Sequence, residues 1–158
     1  LTHFSACPRR GEIYAYARFY VCRGAIRFCV TGFDETPPES ARMAFVFAYP
    51  ENEVRCVRTV LFKYGETVAE SSAGQRAVDT ILSTGADEQG WYWQREGELD
   101  AEFLREALGR APKSGDVLVG NVVSYDETET AFGSAFPVPF GEDAFSPDGF
   151  DVFPVVSY

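Results

Sequence analysis

Histidine is almost missing from this chain: a single one, His3, stands in 158 residues. A Ser-His-Asp or Cys-His nucleophile system would depend on that one imidazole near a terminus, and a zinc site with two or more histidine ligands is excluded by count. The four cysteines, Cys7, Cys22, Cys29 and Cys56, contain no CxxC pair, so neither a zinc ribbon nor a thioredoxin-type site is signalled. The glycine fingerprint of dinucleotide binding and the phosphate-binding P-loop are both absent. No apolar run approaches the ~20 residues needed to span a bilayer. No signal peptide is visible, and a cytoplasmic location is slightly favoured over export. Positive charge is also scarce. Fourteen Lys and Arg face 24 Asp and Glu, for a net charge of -10. Such a surface repels polyanionic nucleic acid and anionic membranes, whereas a neutral ligand meets no such penalty.

What is abundant is aromatic and β-prone sequence. Aromatics make up 15% of the chain, with 14 Phe and 8 Tyr, and these residues suit a pleated, half-buried surface. The run Ile13 to Cys22, a two-residue Arg23-Gly24 turn and the run Ala25 to Phe33 read as a hairpin. Ile26, Phe28 and Val30 alternate with Arg27, Cys29 and Thr31, the period of a strand with one buried face. Further strands are read over 41–49, 54–64, 116–125 and 152–158, with 65–74 as a loop holding at most one short strand. The stretch 76–84 favours strand over helix through its β-branched residues. Asp100, Glu102 and Gly109 bracket one helix, with Leu99, Phe103, Leu104, Ala107 and Leu108 on its apolar face. One domain is predicted: an all-β, antiparallel β-sandwich of about eight or nine strands with one short helix.

The residues that bear on chemistry are few. Trp91 and Trp93 are the only tryptophans, and two residues apart on a strand they point the same way. They read either as a platform for the apolar face of a sugar ring or as core. Tyr14, Tyr16 and Tyr20 read as half-buried sheet residues. Carboxylate pairs at Asp34-Glu35, Glu127-Glu129 and Glu142-Asp143 meet the minimal need of a glycosidase, but most acidic pairs in loops of so acidic a chain are solvated. Glu142, Asp143, Asp148 and Asp151 supply hard oxygens in one loop, a minor reading as a calcium site. Cys22, Cys29 and Cys56 lie in apolar strand-like runs and the cysteines read as free thiols, with one disulfide open if the chain is exported.

The order of short motifs resembles the carbohydrate-binding family-nine-like modules, which are DOMON-like β-sandwiches. Ile13 to Phe33 is similar to the family's hairpin, and Asp34, Glu35, Pro37 and Pro38 to its acidic-proline loop. Gly90-Trp91-Tyr92-Trp93 leads into Glu98-Leu99-Asp100 and the helix. Gly115 and Asn121 match a later strand, Gly133-Ser134 and Pro137 a crossing, and Pro147-Asp148 and Phe153 the close. Ala135 stands where the family tends to have Trp after Gly-Ser, and Pro154 where it tends to have Gly. The resemblance implies a non-catalytic binding module for a carbohydrate or related small polyol. Trp91 and Trp93 would stack on the sugar, while Asn121 and Arg42 would bond its hydroxyls. No metal or cofactor is expected. The alternative is a protein-interaction or structural β-sandwich without a sugar site.

Overall fold

The computed structural model describes residues 3–4, 14–34, 41–88, 90–125, 132–139 and 142–156. A two-residue strand, β1 (His3–Phe4), comes first, followed by β2 (Tyr14–Cys22) and β3 (Ala25–Asp34). β2 and β3 form the expected hairpin, with Tyr14 opposite Phe33 and Cys22 opposite Ala25. Both turn residues take positive φ, 53° at Arg23 and 84° at Gly24, the geometry whose twist matches that of the flanking strands. Next come β4 (Arg42–Tyr49), β5 (Asn52–Phe62), β6 (Thr67–Ser71), β7 (Gly74–Val78), β8 (Thr80–Asp87) and β9 (Gly90–Leu99). A helix, α1 (Ala101–Leu108), separates these from β10 (Val117–Tyr125), β11 (Phe132–Ser134) and β12 (Asp151–Pro154).

The described strands form two antiparallel sheets. The large one has eight strands, ordered β1-β11-β10-β4-β5-β6-β7 with β12 also on β10; the small one is β2-β3-β9-β8. Asp79 alone carries the chain from β7 in the large sheet to β8 in the small one. The strand number exceeds the eight or nine expected. The excess lies in short pieces: the 65–74 stretch read as mostly loop is largely the β6–β7 hairpin, and β1 and β11 have two and three residues. β7 has an almost wholly exposed run of side chains, so no apolar alternation marked it. The closing strand is also shorter than expected, ending at Pro154.

Both sheets bury one face against the other. From the small sheet Ile26, Phe28, Val30, Trp93 and Leu99 point inward; from the large sheet Met43, Phe45, Phe47, Tyr49, Val57, Leu61, Leu118 and Val122 meet them. Arg95 also points inward from β9, buried, and among the described residues no carboxylate pairs with it. Its guanidinium donates to the carbonyls of Phe62, Lys63 and Gly65 and to Thr80 Oγ1, at 2.8–3.2 Å. A buried cation is tolerable only when its donors are met, and here they rivet β9 to the turn after β5. Gly120 is fixed by space: an added Cβ would run into the Val46 carbonyl of the neighbouring strand. α1 closes one end as the sequence indicates. Asp100 accepts from Phe103 N at 2.8 Å and Gly109 takes the left-handed cap at φ 88°. Phe103, Leu104, Ala107 and Leu108 are its buried residues.

Candidate functional site

The four residues singled out from the sequence do not gather in one place. Trp91 and Trp93 lie on β9 in the small sheet, with Asn121 on β10 and Arg42 on β4 in the large sheet. The two tryptophans share a parity but not an environment. Trp93 is 3% exposed and packs over Gly32, where a Cβ would meet its indole; Trp91, at the end of the sheet opposite Asp34 and Ala86, is 59% exposed. Asn121 is fully buried and its amide is engaged with backbone. Nδ2 donates to the carbonyls of Gly149 (2.9 Å) and Phe136 (3.3 Å), and Oδ1 accepts from Val122 N (2.8 Å) and Phe136 N (3.2 Å). Asn121 therefore clips the 133–136 crossing and the 147–149 turn onto β10 and has no group to offer a sugar hydroxyl. Arg42 is half-buried with its guanidinium 5.8 Å from the Phe62 ring centroid.

That clip explains what covers the outer side of the large sheet. β10 pairs with β12 along 117–120 and with β11 along 123–125, both on the side away from β4. Between them the chain lays Val138 and Ala144 against Val123, with Phe145 packed on this cluster. Ala44, Val46 and Ala48, the outward residues of β4, are fully buried in consequence. Arg58 stretches under the same cover, with its guanidinium 4.2 Å from the Phe145 ring centroid.

The outer side of the small sheet is different. Register places Tyr16, Thr31, Gln94 and Ser83 in one row across the four strands, with Phe33, Tyr92 and Gly85 in the row beside it. Tyr16 and Phe33 lie 6.0 Å apart between ring centroids and Phe33 and Tyr92 5.9 Å, so three rings run diagonally across the face. Gly85 leaves room for the Tyr92 ring, whose hydroxyl would strike any Cβ there. Polar groups stand beside the rings in fixed positions. Thr31 Oγ1 donates to Gln94 Oε1 at 3.1 Å, and Gln94 Nε2 donates to Glu96 Oε1 at 2.6 Å. Arg18 lies over the Tyr16 ring at 5.1 Å, and Arg27 pairs with Glu98 at 2.6 Å. The Cys29 thiol, in the row of Arg18 and Glu96, is pushed up in pKa by burial and by the Glu96 carboxylate. Chemically the face offers flat apolar rings flanked by an amide, a hydroxyl and carboxylates.

No protein-family model matches this chain, and no curated protein matches it. Among solved structures it is similar to a crystal structure from Bacteroides uniformis ATCC 8492 of a protein whose name proposes that it binds carbohydrate. The TM-score is 0.61 at 13% identity, over 95% of this chain and 84% of that one. At that identity the likeness concerns the fold.

Glu35, Pro37, Pro38, Cys7 and the Glu127-Glu129 pair lie outside the described residues. Glu142 and Asp143 are exposed, and Asp143 and Asp151 accept from the backbone N–H groups of Phe145 and Val152. Among the described residues no three His, Cys, Asp or Glu converge to hold a metal ion, so Glu142, Asp143, Asp148 and Asp151 do not assemble as a calcium cage. Cys22, Cys29 and Cys56 are free thiols; Cys22 is exposed and the other two are half-buried, less deep than their apolar surroundings suggested. No described helix is long and apolar enough to cross a membrane.

Tyr49, Arg110 and Asp116 form an ionisable cluster that acts as a structural tie. Arg110 lies 3.6 Å from the Tyr49 ring centroid, bonds Asp116 at 2.7 Å and Glu51 at 3.1 Å, and Tyr49 donates to Asp116 at 3.1 Å. Burial, reinforced by the Asp116 carboxylate, pushes Tyr49 up to about 12. Burial also works to raise Asp116, yet the bonds from Arg110, the Lys113 N–H and Tyr49 together hold it below the usual carboxylate range. The cluster fastens the chain after α1 to the β4–β5 turn.

Proposed function

We propose that this chain is a non-catalytic binding module for a carbohydrate or small polyol, and that the ligand lies on the outer face of the small sheet. One observation carries the reading: the diagonal of Tyr16, Phe33 and Tyr92, set beside the Thr31–Gln94–Glu96 hydrogen-bonded chain on a sheet face that no described element covers. A pyranose has one apolar face and a rim of hydroxyls. The rings would take the first; Gln94, Glu96 and Ser83 would take the second. Neutral ligands also suit a chain of net charge -10. The fold shared with the Bacteroides protein supports the same direction. Trp91, exposed on the opposite side of β9 at the same end of the sheet, is a second candidate platform.

Binding should be weak, because each sugar hydrogen bond replaces one to water and nets roughly 0.5–1.5 kcal/mol. The test is calorimetric titration of a panel of neutral mono- and oligosaccharides against the wild-type chain, Tyr92→Ala, Gln94→Ala and Trp91→Ala. At least one sugar should bind, and Tyr92→Ala should weaken it about tenfold, the loss of ~1.4 kcal/mol. Loss in Trp91→Ala but not in Tyr92→Ala would move the site to the sheet end. No binder across the panel would sink the reading in favour of a protein-interaction or structural sandwich.

A further inference from the structure

Among the described residues the two sheets do not close on each other along the β2 side. Between β2 and the β10–β12 region a cleft of about 940 Å³ opens from the surface toward the core. Its inner wall is apolar: Ala17, Phe19 and Val21 from β2 face Phe47, Phe153 and Val155. The rings there form an edge-to-face cluster, with Phe19 4.9 Å from Phe47 and Phe47 5.1 Å from Phe153. Phe19, Val21, Phe153 and Val155 are only partly buried, so apolar surface that belongs to the core meets solvent here. The volume falls within the roughly 300–1,000 Å³ of small-molecule sites. One charged side chain lines the cleft: Arg18, which alternates with Ala17 and Phe19 and so leaves β2, an edge strand, on its outer side at the cleft mouth. Among the described residues its guanidinium makes no ion pair and only stacks on Tyr16, 5.1 Å from the ring centroid.

A sugar does not suit this wall, since hydroxyls buried against Phe and Val would lose water without gaining partners. A wholly apolar molecule would leave the rim cation unused. We propose that the cleft is a second binding site, for a small amphipathic anion whose apolar body lies between the sheets on Phe19, Phe47 and Phe153 and whose single carboxylate bonds Arg18. The apolar body supplies the affinity through buried area, and the charge-assisted bond to a guanidinium fixes which end points outward. The site opens at the β2 edge, where Tyr16 and Arg18 also border the outer face of the small sheet, but its apolar wall lies between the sheets and its occupation does not depend on sugar binding.

The experiment titrates the chain with decanoate and, in parallel, with the neutral 1-decanol, following backbone amide shifts by NMR. Decanoate should saturate at one per chain, with shifts centred on 17–21 and 153–155 and none at Tyr92 or Gln94. 1-Decanol should bind at least about tenfold more weakly. Arg18→Gln, a change at an exposed position, should bring decanoate down to the level of 1-decanol while leaving 1-decanol unchanged. Ala17→Trp, which fills the cleft from one wall, should weaken both ligands. Its folding is checked by circular dichroism, and if it fails to fold the Arg18→Gln arm decides alone. Equal binding of the two ligands, an Arg18→Gln variant that binds decanoate as tightly as wild type, or shifts lying outside the cleft would each overturn the proposal.

Discussion

The two outer faces of this sandwich are built from similar strands and reach opposite ends. On the large sheet Ala44, Val46 and Ala48 point outward and are fully buried, because Asn121 holds the stretches 133–139 and 142–149 across them. On the small sheet Tyr16, Gln94 and Tyr92 point outward and stay partly open, because no described element packs over them. One buried amide thus separates a covered face from an open one. The lesson is that position in a strand does not settle a role. Asn121 and Trp93 have the chemistry of ligand contacts and are used to hold the structure, whereas the half-buried tyrosines carry the candidate site.

The largest effect should come from breaking the cover. Asn121→Leu removes four hydrogen bonds to backbone groups and leaves those groups buried, so chemical denaturation should show a loss of about 3–5 kcal/mol. A loss under about 1 kcal/mol would mean that the crossing is held elsewhere. The tryptophan and tyrosine next to each other on β9 sharpen the contrast. Trp93→Ala should cost about 3–5 kcal/mol in stability, as large core truncations do. Tyr92→Ala should cost within about 1 kcal/mol yet weaken the sugar about tenfold. Equal stability losses in the two variants would erase the inside–outside distinction.

A smaller effect is expected at the Tyr49–Arg110–Asp116 tie, and pH reads it. Asp116 is depressed in the folded state, so its contribution is full above the unfolded value of about 4 and is lost as pH falls through its lower folded value. Tyr49 is raised to about 12, so its contribution is full below the unfolded value of about 10 and is lost as pH rises through about 12. Asp116→Asn should flatten the acid limb of the stability curve and leave the outer face of the small sheet unaffected. An acid limb as steep as that of the wild type would assign acid sensitivity to other carboxylates. Smallest of these is Asp100→Ala, which removes the helix cap at a cost of about 1 kcal/mol, seen as a modest drop in melting temperature.

Sequence reading recovered the sandwich because its signals are local. Arg23-Gly24 needs no distant partner to be a turn, and Asp100 and Gly109 bracket α1 within ten residues. The short β6–β7 hairpin escaped because β7 carries exposed polar side chains with no period to read. The open face was invisible for another reason. Thr31 and Gln94 are 63 residues apart, and their pairing is decided by which strands meet, β3 with β9. Parity alone put Trp91 and Trp93 together; the folded chain leaves the first ring 59% exposed and the second 3%. The signal that was available was Tyr16 opposite Thr31 in the hairpin, which follows once the two-residue turn fixes the register.

The most direct test of the account is to map, by amide shifts, where the best-binding neutral sugar of the panel lies. The account predicts saturable shifts at Tyr16, Thr31, Phe33 and 92–96, moved to about tenfold higher sugar concentration by Tyr92→Ala, with the segment around Asn121, Phe136 and Gly149 silent. Saturable shifts confined to that covered segment, with the small-sheet residues unmoved, would contradict it.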